Sequence, residues 1–206
     1  SGFARDKPER VEKGWDMVQR NVDRIRQMVL DILYYAKDRD MEIEAIDAEG
    51  LLRDVMQGMT KKAADLDIAL TTEVQGDCGE FPGDTRAVRA ALVNLLENSL
   101  DACQSNRNET EHVVRASVRR GTTYMVFEFE DNGIGMDQQT REKLFSLFFS
   151  SKGVRGTGLG LFISNKIVDK HGGSIEVWSE LGQGSRFEIR LPLEARPSTQ
   201  PEDVVI

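Results

Sequence analysis

The first forty residues carry a regular pattern of apolar positions. Between residues 9 and 38, apolar side chains recur at alternating intervals of four and three residues, at Val11, Trp15, Val18, Val22, Ile25, Val29, Ile32 and Ala36. This spacing predicts one long helix with a seam for packing against other helices. Met28 and Leu33 widen the stripe, which favours a bundle of several helices over a two-stranded coil. The alternative is a helix that packs only on the domain that follows.

Beyond a polar stretch, the chain alternates between helical and strand patterns. Helical patterns cover 48–65, 84–104 and 157–171, with Asp84 as the N-cap of the second and Gly172-Gly173 ending the third. Period-two patterns predict strands at 68–74, 112–120, 123–131, 174–179 and 186–191, with a short loop through Pro82 and a turn at Gly121. Because most strands come in hairpin-like pairs, we expect an α+β fold. Its form is a two-layer sandwich of a mixed or antiparallel sheet with helices on one face.

These patterns divide the chain into four parts. We expect a bundle helix in 1–40, a linker in 41–47, a compact domain in 48–193 and a disordered tail in 194–206, which is polar and contains two prolines. No apolar run approaches the ~20 residues that a membrane span requires. No membrane contact is therefore expected within this chain.

Charge and cysteine content narrow the classes of function. The formal charge is −8 and no basic cluster stands out, which argues against a nucleic-acid-binding protein. An acidic protein can still bind ATP, because backbone amides and a metal ion hold phosphates locally. Cys78 and Cys103 show neither metal-ligand spacing nor a disulfide framework, which fits a reducing, cytoplasmic setting.

One polar stripe marks the helix predicted over 84–104. Asn94, Asn98 and Asp101 stand at i, i+4 and i+7 and therefore share a helix face. Amide and carboxylate oxygens are hard ligands that suit Mg²⁺ held between protein and phosphate. A solvated helix face is the alternative, and taken alone the stripe favours it.

Asp131 ends a strand in an unusual orientation. It continues the core-facing alternation of Met125, Phe127 and Phe129, so its carboxylate is expected to point inward and to require a donor. The following Asn-Gly-Ile-Gly-Met segment, 132–136, can adopt left-handed angles and approach a ligand closely. An Asp that merely caps a tight turn is an equally good explanation of this residue alone.

A glycine-rich segment and an aromatic segment complete the candidate chemistry. Residues 156–161, Gly-Thr-Gly-Leu-Gly-Leu, open a predicted helix, where backbone amides can face phosphate. The segment matches neither the dinucleotide fingerprint, since no strand precedes it, nor a P-loop, since no Gly-Lys-Ser/Thr follows. Residues 144–152 combine Phe145, Phe148 and Lys152 in a segment that suggests a mobile lid. A core-packing turn of helix is the alternative for its aromatic residues.

Together, in this order, these segments resemble the Bergerat-type ATP-binding fold of the GHKL superfamily, and specifically sensor histidine kinases. Residues 94–102 resemble the N box, 131–136 the G1 box, 145–152 the F box and 156–161 the G2 box. The stretches 171–173 and 182–187 resemble the closing strands of that family. The similarity covers about residues 45–193, and four motifs in register make it far more specific than any one of them.

The resemblance implies a role for each motif residue. Asp131 would accept the adenine amino group, Asn98 would hold Mg²⁺ with Asn94 beside it, and Lys152 would face the phosphates. Residues 137–155 would be the ATP lid. The implied catalytic residues are Asn94, Asn98 and Lys152. The implied nucleotide-binding residues are Asn98, Asp101, Asp131, Gly133, Gly135, Met136, Lys152, Gly156, Thr157, Gly158, Leu159, Gly160, Leu161 and Ser185.

The resemblance also implies which reaction the chain serves. Water-activating ATPases of the superfamily carry Glu where this chain has Asn94, and an amide cannot act as a general base. Transfer of the ATP γ-phosphate to a protein histidine, and then to a response-regulator aspartate, is therefore favoured over hydrolysis. A nucleotide-binding scaffold without kinase activity is one alternative. An ATPase of the mismatch-repair or topoisomerase kind is a less favoured one.

Helix 9–38 resembles the second helix of the dimerisation and histidine-phosphotransfer hairpin, which implies a homodimer. No counterpart of the first helix, which carries the phosphoacceptor, is present. The only histidines are His112, on a predicted strand, and His171, at a predicted helix end.

Overall fold

The computed structural model describes residues 41–106, 111–150 and 157–194, together with ten residues between 11 and 25, all of them helical. The four helices that follow are α1 (Ala48–Asp65), α2 (Thr85–Ser105), α3 (Gln138–Lys143) and α4 (Gly160–Lys170). The strands are β1 (Glu44–Asp47), β2 (Ile68–Gln75), β3 (Glu80–Gly83), β4 (His112–Arg120), β5 (Tyr124–Asp131), β6 (Ser174–Glu180) and β7 (Gly184–Pro192). In this described part, no helix is both long and apolar enough to cross a membrane.

Five strands form a mixed sheet in the order β2-β4-β5-β7-β6. Strands β2 and β4 are parallel, whereas every other neighbouring pair is antiparallel. The alternating apolar side chains of β4 and β5 are buried beneath α1 and α2: Val114, Ala116, Val118, Met125, Phe127 and Phe129. Burying one face of each strand is what period-two patterning requires. The predicted α+β sandwich is therefore confirmed.

The opposite face of the sheet carries paired charges. Register places Glu128 of β5 and Glu176 of β6 on either side of Glu188 of β7. Glu188 is buried, and its carboxylate accepts hydrogen bonds from Arg119 (3.1 Å) and Arg190 (2.7 Å). A buried carboxylate is tolerable only with such partners. These pairs keep the sheet face polar without a covering layer.

Two short strands were not predicted. Four residues of the expected linker form β1, which pairs antiparallel with β3, a segment that the sequence suggested was loop. Ile46 lies opposite Phe81, and both side chains are buried. Strands of four residues offer too few alternating positions for a sequence pattern to distinguish them from a loop.

The helix expected over 157–171 begins later, at Gly160. Gly158 has φ +69°, and a Cβ at that position would overlap the backbone carbon of Phe148. This close approach holds 157–159 in a loop ahead of the helix. Helix 9–38 is described only in the ten residues between 11 and 25, and residues 195–206 of the expected tail lie outside the described part.

Candidate functional site

A cavity of about 960 Å³ lies between α2, α4 and the end of β5. Most of the residues that the sequence singled out meet there, although they come from four separate segments. Its lining includes Asn94, Asn98, Asp101, Asp131, Gly135, Met136, Thr157, Gly158, Gly160, Leu161 and Ser185. Gly133 and Leu159 are not among the lining residues. Lys152 and Gly156 lie outside the described residues.

Helix α2 positions the polar stripe. Its N-cap is Asp84, as predicted, and the Asp84 carboxylate accepts a hydrogen bond from the Ala87 amide at 3.0 Å. The helix buries one face in the core through residues that include Leu92, Leu95, Leu96 and Leu100. Its polar stripe faces the cavity and is half-buried. Half-burial at a cavity wall favours a ligand-facing stripe over the alternative of a solvated helix face, and its role in ligand binding stays a prediction.

The two asparagines are oriented by hydrogen bonds to backbone. The Asn98 side-chain nitrogen donates to the Asn94 carbonyl oxygen at 2.8 Å. The nitrogen end of the Asn98 amide is therefore held against the backbone of its own helix. The Asn94 side-chain nitrogen donates to the Gly160 carbonyl oxygen at 3.4 Å. Asn94 thus links α2 to the glycine-rich start of α4.

Asp131 is buried with one carboxylate oxygen unsatisfied. The side chain is 4% exposed, its Oδ1 accepts from the Gly133 amide at 2.9 Å, and its Oδ2 has no hydrogen-bond partner. Burial raises the pKa of this carboxyl to about 6, against the opposing effect of the Gly133 amide. The Ser99 hydroxyl and the Ser185 amide also oppose the rise, but neither meets Oδ2 with hydrogen-bond geometry. A buried acceptor without a donor at the cavity wall fits a ligand that brings one.

Sequence analysis missed Ser99. Its side chain is fully buried, and its hydroxyl has no hydrogen-bond partner. The hydroxyl lies close enough to the Asp131 carboxyl to oppose the rise in its pKa. Two polar groups without a hydrogen-bond partner, the Ser99 hydroxyl and Oδ2 of Asp131, are therefore neighbours, and of these two residues Asp131 lines the cavity. The available signal was a single hydroxyl among the leucines of the buried face of α2.

The loop after Asp131 is pressed against its neighbours. Gly135 has φ +66°, as the sequence suggested, and a Cβ there would overlap the Glu180 carbonyl oxygen of the β6–β7 turn. A Cβ on Gly133 would lie 2.5 Å from the backbone carbon of Ala102 on α2. The close approaches that these glycines permit are thus to protein backbone. They fix the loop that forms the base of the cavity around Asp131.

The first part of the expected lid is ordered around α3. Asp137 caps that helix by accepting from the Thr140 amide at 2.8 Å, and hydrogen bonding from the Thr140 side chain and amide lowers the pKa of the Asp137 carboxyl. Arg141 donates to the Ser179 carbonyl oxygen at 3.1 Å. Phe145 packs against the core, so the core-packing alternative is correct for it. Phe148 is 63% exposed and bonds its amide to the Gly158 carbonyl oxygen.

Helix α4 begins without a side-chain cap. Leu159 occupies the N-cap position and provides no capping hydrogen bond, while the Thr157 hydroxyl accepts from the Leu159 amide at 3.3 Å. Gly158 and Gly160 bring this helix start to the cavity wall. The positive end of a helix dipole favours an anion at such a place.

Comparison with known proteins defines the class. The family of histidine kinase-, DNA gyrase B- and HSP90-like ATPases matches residues 83–195. The match covers more than half of the chain, and the chain belongs to this family. Within it, the fold and the relatives are those of the ATP-binding catalytic domain of sensor histidine kinases, as the sequence motifs predicted.

The similar proteins cover different shares of the chain. Sporulation kinase B of Bacillus subtilis is 27% identical over 178 residues, which are 86% of this chain and 40% of that kinase. The nucleotide-free catalytic domain of histidine kinase ThkA is 26% identical, with a TM-score of 0.65, over 74% of this chain and 97% of that one. Full-length ShkA in complex with AMPPNP is 25% identical, with a TM-score of 0.74, over 84% of this chain and 37% of that one. The chain thus spans about 40% of the length of the curated relatives it matches.

The assignment of individual residues to adenine, phosphate and metal remains a prediction. Within the described residues, no group of three or more His, Cys, Asp or Glu side chains is placed to hold a metal ion. The Asn98 amide oxygen is the protein ligand that the family resemblance implies for a Mg²⁺ ion at the polar stripe, with phosphate and water as the other ligands.

Proposed function

We propose that this chain is the kinase core of a sensor histidine kinase. It binds ATP with Mg²⁺ in the cavity between α2 and α4 and transfers the γ-phosphoryl group to a histidine on a bundle helix, for relay to a response-regulator aspartate. One observation carries the proposal. The unsatisfied carboxylate of Asp131, the asparagine stripe of α2 and the uncapped start of α4 line a single cavity.

At the base end, Asp131 supplies the acceptor. Its Oδ2 lacks a donor, and an exocyclic amino group of a purine base is such a donor. Ionisation of the carboxyl strengthens that hydrogen bond, because charge-assisted bonds are roughly twice as strong as neutral ones. Asp131 thereby selects an amino-bearing base over one that presents a carbonyl at the same place.

At the phosphate end, the asparagines and the α4 start face the triphosphate. Asn98 points its amide oxygen away from the helix backbone to which its nitrogen is bonded, and this oxygen is the metal ligand. Bound Mg²⁺ supplies charge neutralisation for the transferring phosphoryl group. The amides of 156–160 and the side chain of Lys152 complete the phosphate contacts, in the roles that the family resemblance implies.

The surroundings of the stripe favour transfer over hydrolysis. Asn94 cannot act as a general base, and its side chain is bonded to the Gly160 carbonyl oxygen. The neighbouring carboxylate of Glu97 is paired with Lys62 at 2.7 Å. Neither group is suited to activate water, so the site leaves the phosphoryl group for a protein nucleophile.

The same chain associates through its N-terminal helix. Val11, Trp15, Val18, Val22 and Ile25 are seam positions that the structure describes, and each is at least 43% exposed. This surface favours a homodimer built on helix 9–38 and also supports the second candidate, a dimeric nucleotide-binding scaffold without kinase activity. We place the protein in the cytoplasm, where the buried free thiols of Cys78 and Cys103 stay reduced.

Phosphotransfer in trans tests the proposed reaction. The chain alone, given γ-labelled ATP and Mg²⁺, should not become labelled, because it contains no histidine on a bundle helix. A separately supplied hairpin that carries a phosphoacceptor histidine should become labelled. Lack of label on several such hairpins, despite measured ATP binding, would favour the scaffold instead.

The variant Asn98→Ala tests whether Asn98 contributes to nucleotide binding through Mg²⁺. It should weaken the binding of Mg·ATP much more than the binding of ATP in the presence of a chelator, since it removes only the protein's metal ligand. Calorimetry under both conditions gives the comparison. Equal losses with and without Mg²⁺ would make Asn98 a structural residue of α2.

A further inference from the structure

Helices α2 and α4 form the two walls of the cavity and run antiparallel. At the cavity end, the Asn94 side chain bonds to the Gly160 carbonyl oxygen. At the far end, the Asp84 amide donates to Nε2 of His171 at 3.0 Å. With a rise of ~1.5 Å per residue, the eleven residues of α4 separate these two contacts by about 16 Å.

The contact between the two ends gives little directional control. It is a separate apolar cluster in which Ala87 and Ala91 of α2 meet Ile163 and Ile167 of α4. Small residues let the helices approach closely, and the dispersion contacts between them are individually weak and not directional. Between the two ends, the Ser164 hydroxyl also donates to the Ala91 carbonyl oxygen at 3.5 Å, a contact about as long as that of Asn94. Of these three hydrogen bonds between α2 and α4, the one at His171 is the shortest at 3.0 Å, and it adds a directional constraint to the apolar packing.

The imidazole of His171 is held in one tautomer by its two contacts. Because Nε2 accepts from the Asp84 amide, the proton resides on Nδ1, which lies 2.7 Å from the Ile167 carbonyl oxygen and donates to it. Nδ1 thus bonds the ring to its own helix, α4, and Nε2 bonds the ring to the start of α2. Asp84 is also the N-cap of α2, so the bond anchors the residue from which α2 begins.

The space around the ring shows that it is closely fitted. A Cβ on Gly83 would lie 3.4 Å from Cδ2 of His171 and 2.9 Å from the Ile46 side chain. The Asp84 carboxylate also accepts from the Glu42 amide at 3.4 Å, where the described domain begins. His171 therefore meets α2, α4 and the β1–β3 pair at one junction.

We propose that His171 is a positioning residue for nucleotide binding. By bonding the Asp84 amide, it sets the register of α4 on α2 and so places Gly158 and Gly160 opposite Asn94 and Asn98. It touches neither nucleotide nor metal and acts only through the two helices. The inference rests on the nucleotide site proposed above.

Three substitutions of His171 distinguish the role of the Nε2 acceptor from the role of the volume of the ring. His171→Gln keeps an acceptor within reach of the Asp84 amide, His171→Asn keeps only a donor near the position of Nδ1, and His171→Leu keeps neither. ADP affinity is measured by calorimetry with Mg²⁺, under conditions where each variant is folded. We expect His171→Asn and His171→Leu to weaken ADP binding about tenfold, or ~1.4 kcal/mol, and His171→Gln to stay within about threefold of the wild type.

Hydrogen exchange at the amides of Gly160–Ile163 gives a second measurement at the cavity end of α4. Exchange there should become faster in His171→Asn although the substitution lies at the other end of the helix. Arg120→Leu is the structural control. The bonds of Arg120 go to the carbonyl oxygens of Cys78 and Glu80 and not to α2 or α4, so its loss should lower stability and leave ADP affinity unchanged.

Several outcomes would overturn the proposal. One is a set of His171 variants that lose stability, as Arg120→Leu does, yet bind ADP like the wild type. Another is an equal loss of affinity in His171→Gln and His171→Asn, which would show that the acceptor is not responsible. If His171→Leu does not fold, the comparison of Gln with Asn still decides. Failure of the wild type itself to bind ADP would instead refute the nucleotide site.

Discussion

The buried carboxylate of Asp131 lowers the stability of the free protein and provides a hydrogen-bond acceptor for a ligand. Asp131 is almost fully buried, one of its oxygens has no partner, and burial raises its pKa to about 6. The charged form is therefore disfavoured in the folded protein until a ligand supplies a donor. A group kept in such a state for function should leave a measurable effect on stability in the absence of ligand.

The first prediction concerns the pH dependence of that effect. The pKa of Asp131 is higher in the folded state than its ordinary value of 3.8, so the folded state binds this proton more tightly. The contribution of Asp131 to stability is thus fully present below about pH 4 and is lost as pH rises through about 6. A shift of about two pKa units corresponds to on the order of 3 kcal/mol.

Urea unfolding of the wild type and Asp131→Asn from pH 4 to pH 7 measures this loss. Asp131→Asn should become more stable relative to the wild type as pH rises. Asp137→Asn is the control of opposite sign, since the pKa of Asp137 is lowered and its stabilisation is lost as pH falls. A difference between wild type and Asp131→Asn that does not change with pH would contradict the assignment.

How far single residues could be predicted depends on where their partners lie. The inward orientation of Asp131 followed from strand alternation, which is a local pattern. The pairing of Lys62 with Glu97 and the bond from Asp84 to His171 join residues 35 and 87 positions apart. No periodicity encodes such contacts, because they arise only when separate elements pack together.

At the scale of elements, length decided what the sequence could predict. The long elements α1, α2, β4 and β5 lie within a few residues of their expected bounds, since each offers several turns or several alternating positions. The four-residue strands β1 and β3 and the six-residue helix α3 were missed. The start of α4 was misplaced because the fold of 157–159 is set by the approach of Gly158 to Phe148.

The element with the clearest testable behaviour is the first part of the lid. Helix α3 buries none of its residues and is tied to β6 by the Arg141 bond. Few buried contacts imply local opening at low cost. We expect the amides of residues 138–143 to exchange fast in the free protein and more slowly with Mg·ADP, while those of β2 stay unchanged. Slow exchange of 138–143 before nucleotide is added would argue against a lid.

At the scale of the whole molecule, two exposed surfaces differ in whether another part of the protein or a partner must cover them. The outer sheet face is polar and internally paired, so it needs no cover. The described seam residues of the N-terminal segment are exposed and apolar, as in Trp15 at 62% and Ile25 at 60%. Contiguous apolar surface of this kind marks an association site, since its burial contributes ~25 cal/mol per Å².

We therefore expect the chain to self-associate through this segment. Sedimentation should show a dimer or higher assembly whose proportion rises with concentration, and Val18→Glu should weaken it. Removal of residues 1–40 should give a monomer that still binds ADP. A concentration-independent monomer with the segment intact would refute the bundle assignment and leave the nucleotide site untouched.

The most direct test of the account is calorimetric titration of ADP with Mg²⁺ into the wild type, Asp131→Asn and Glu130→Gln. Asp131→Asn keeps the shape of the side chain but loses a charge-assisted bond, so it should bind ADP weaker by about 1.5–3 kcal/mol. Glu130→Gln changes the exposed neighbour on the other face of β5 and should bind ADP like the wild type. Unchanged ADP affinity in Asp131→Asn would contradict the nucleotide site on which the account depends.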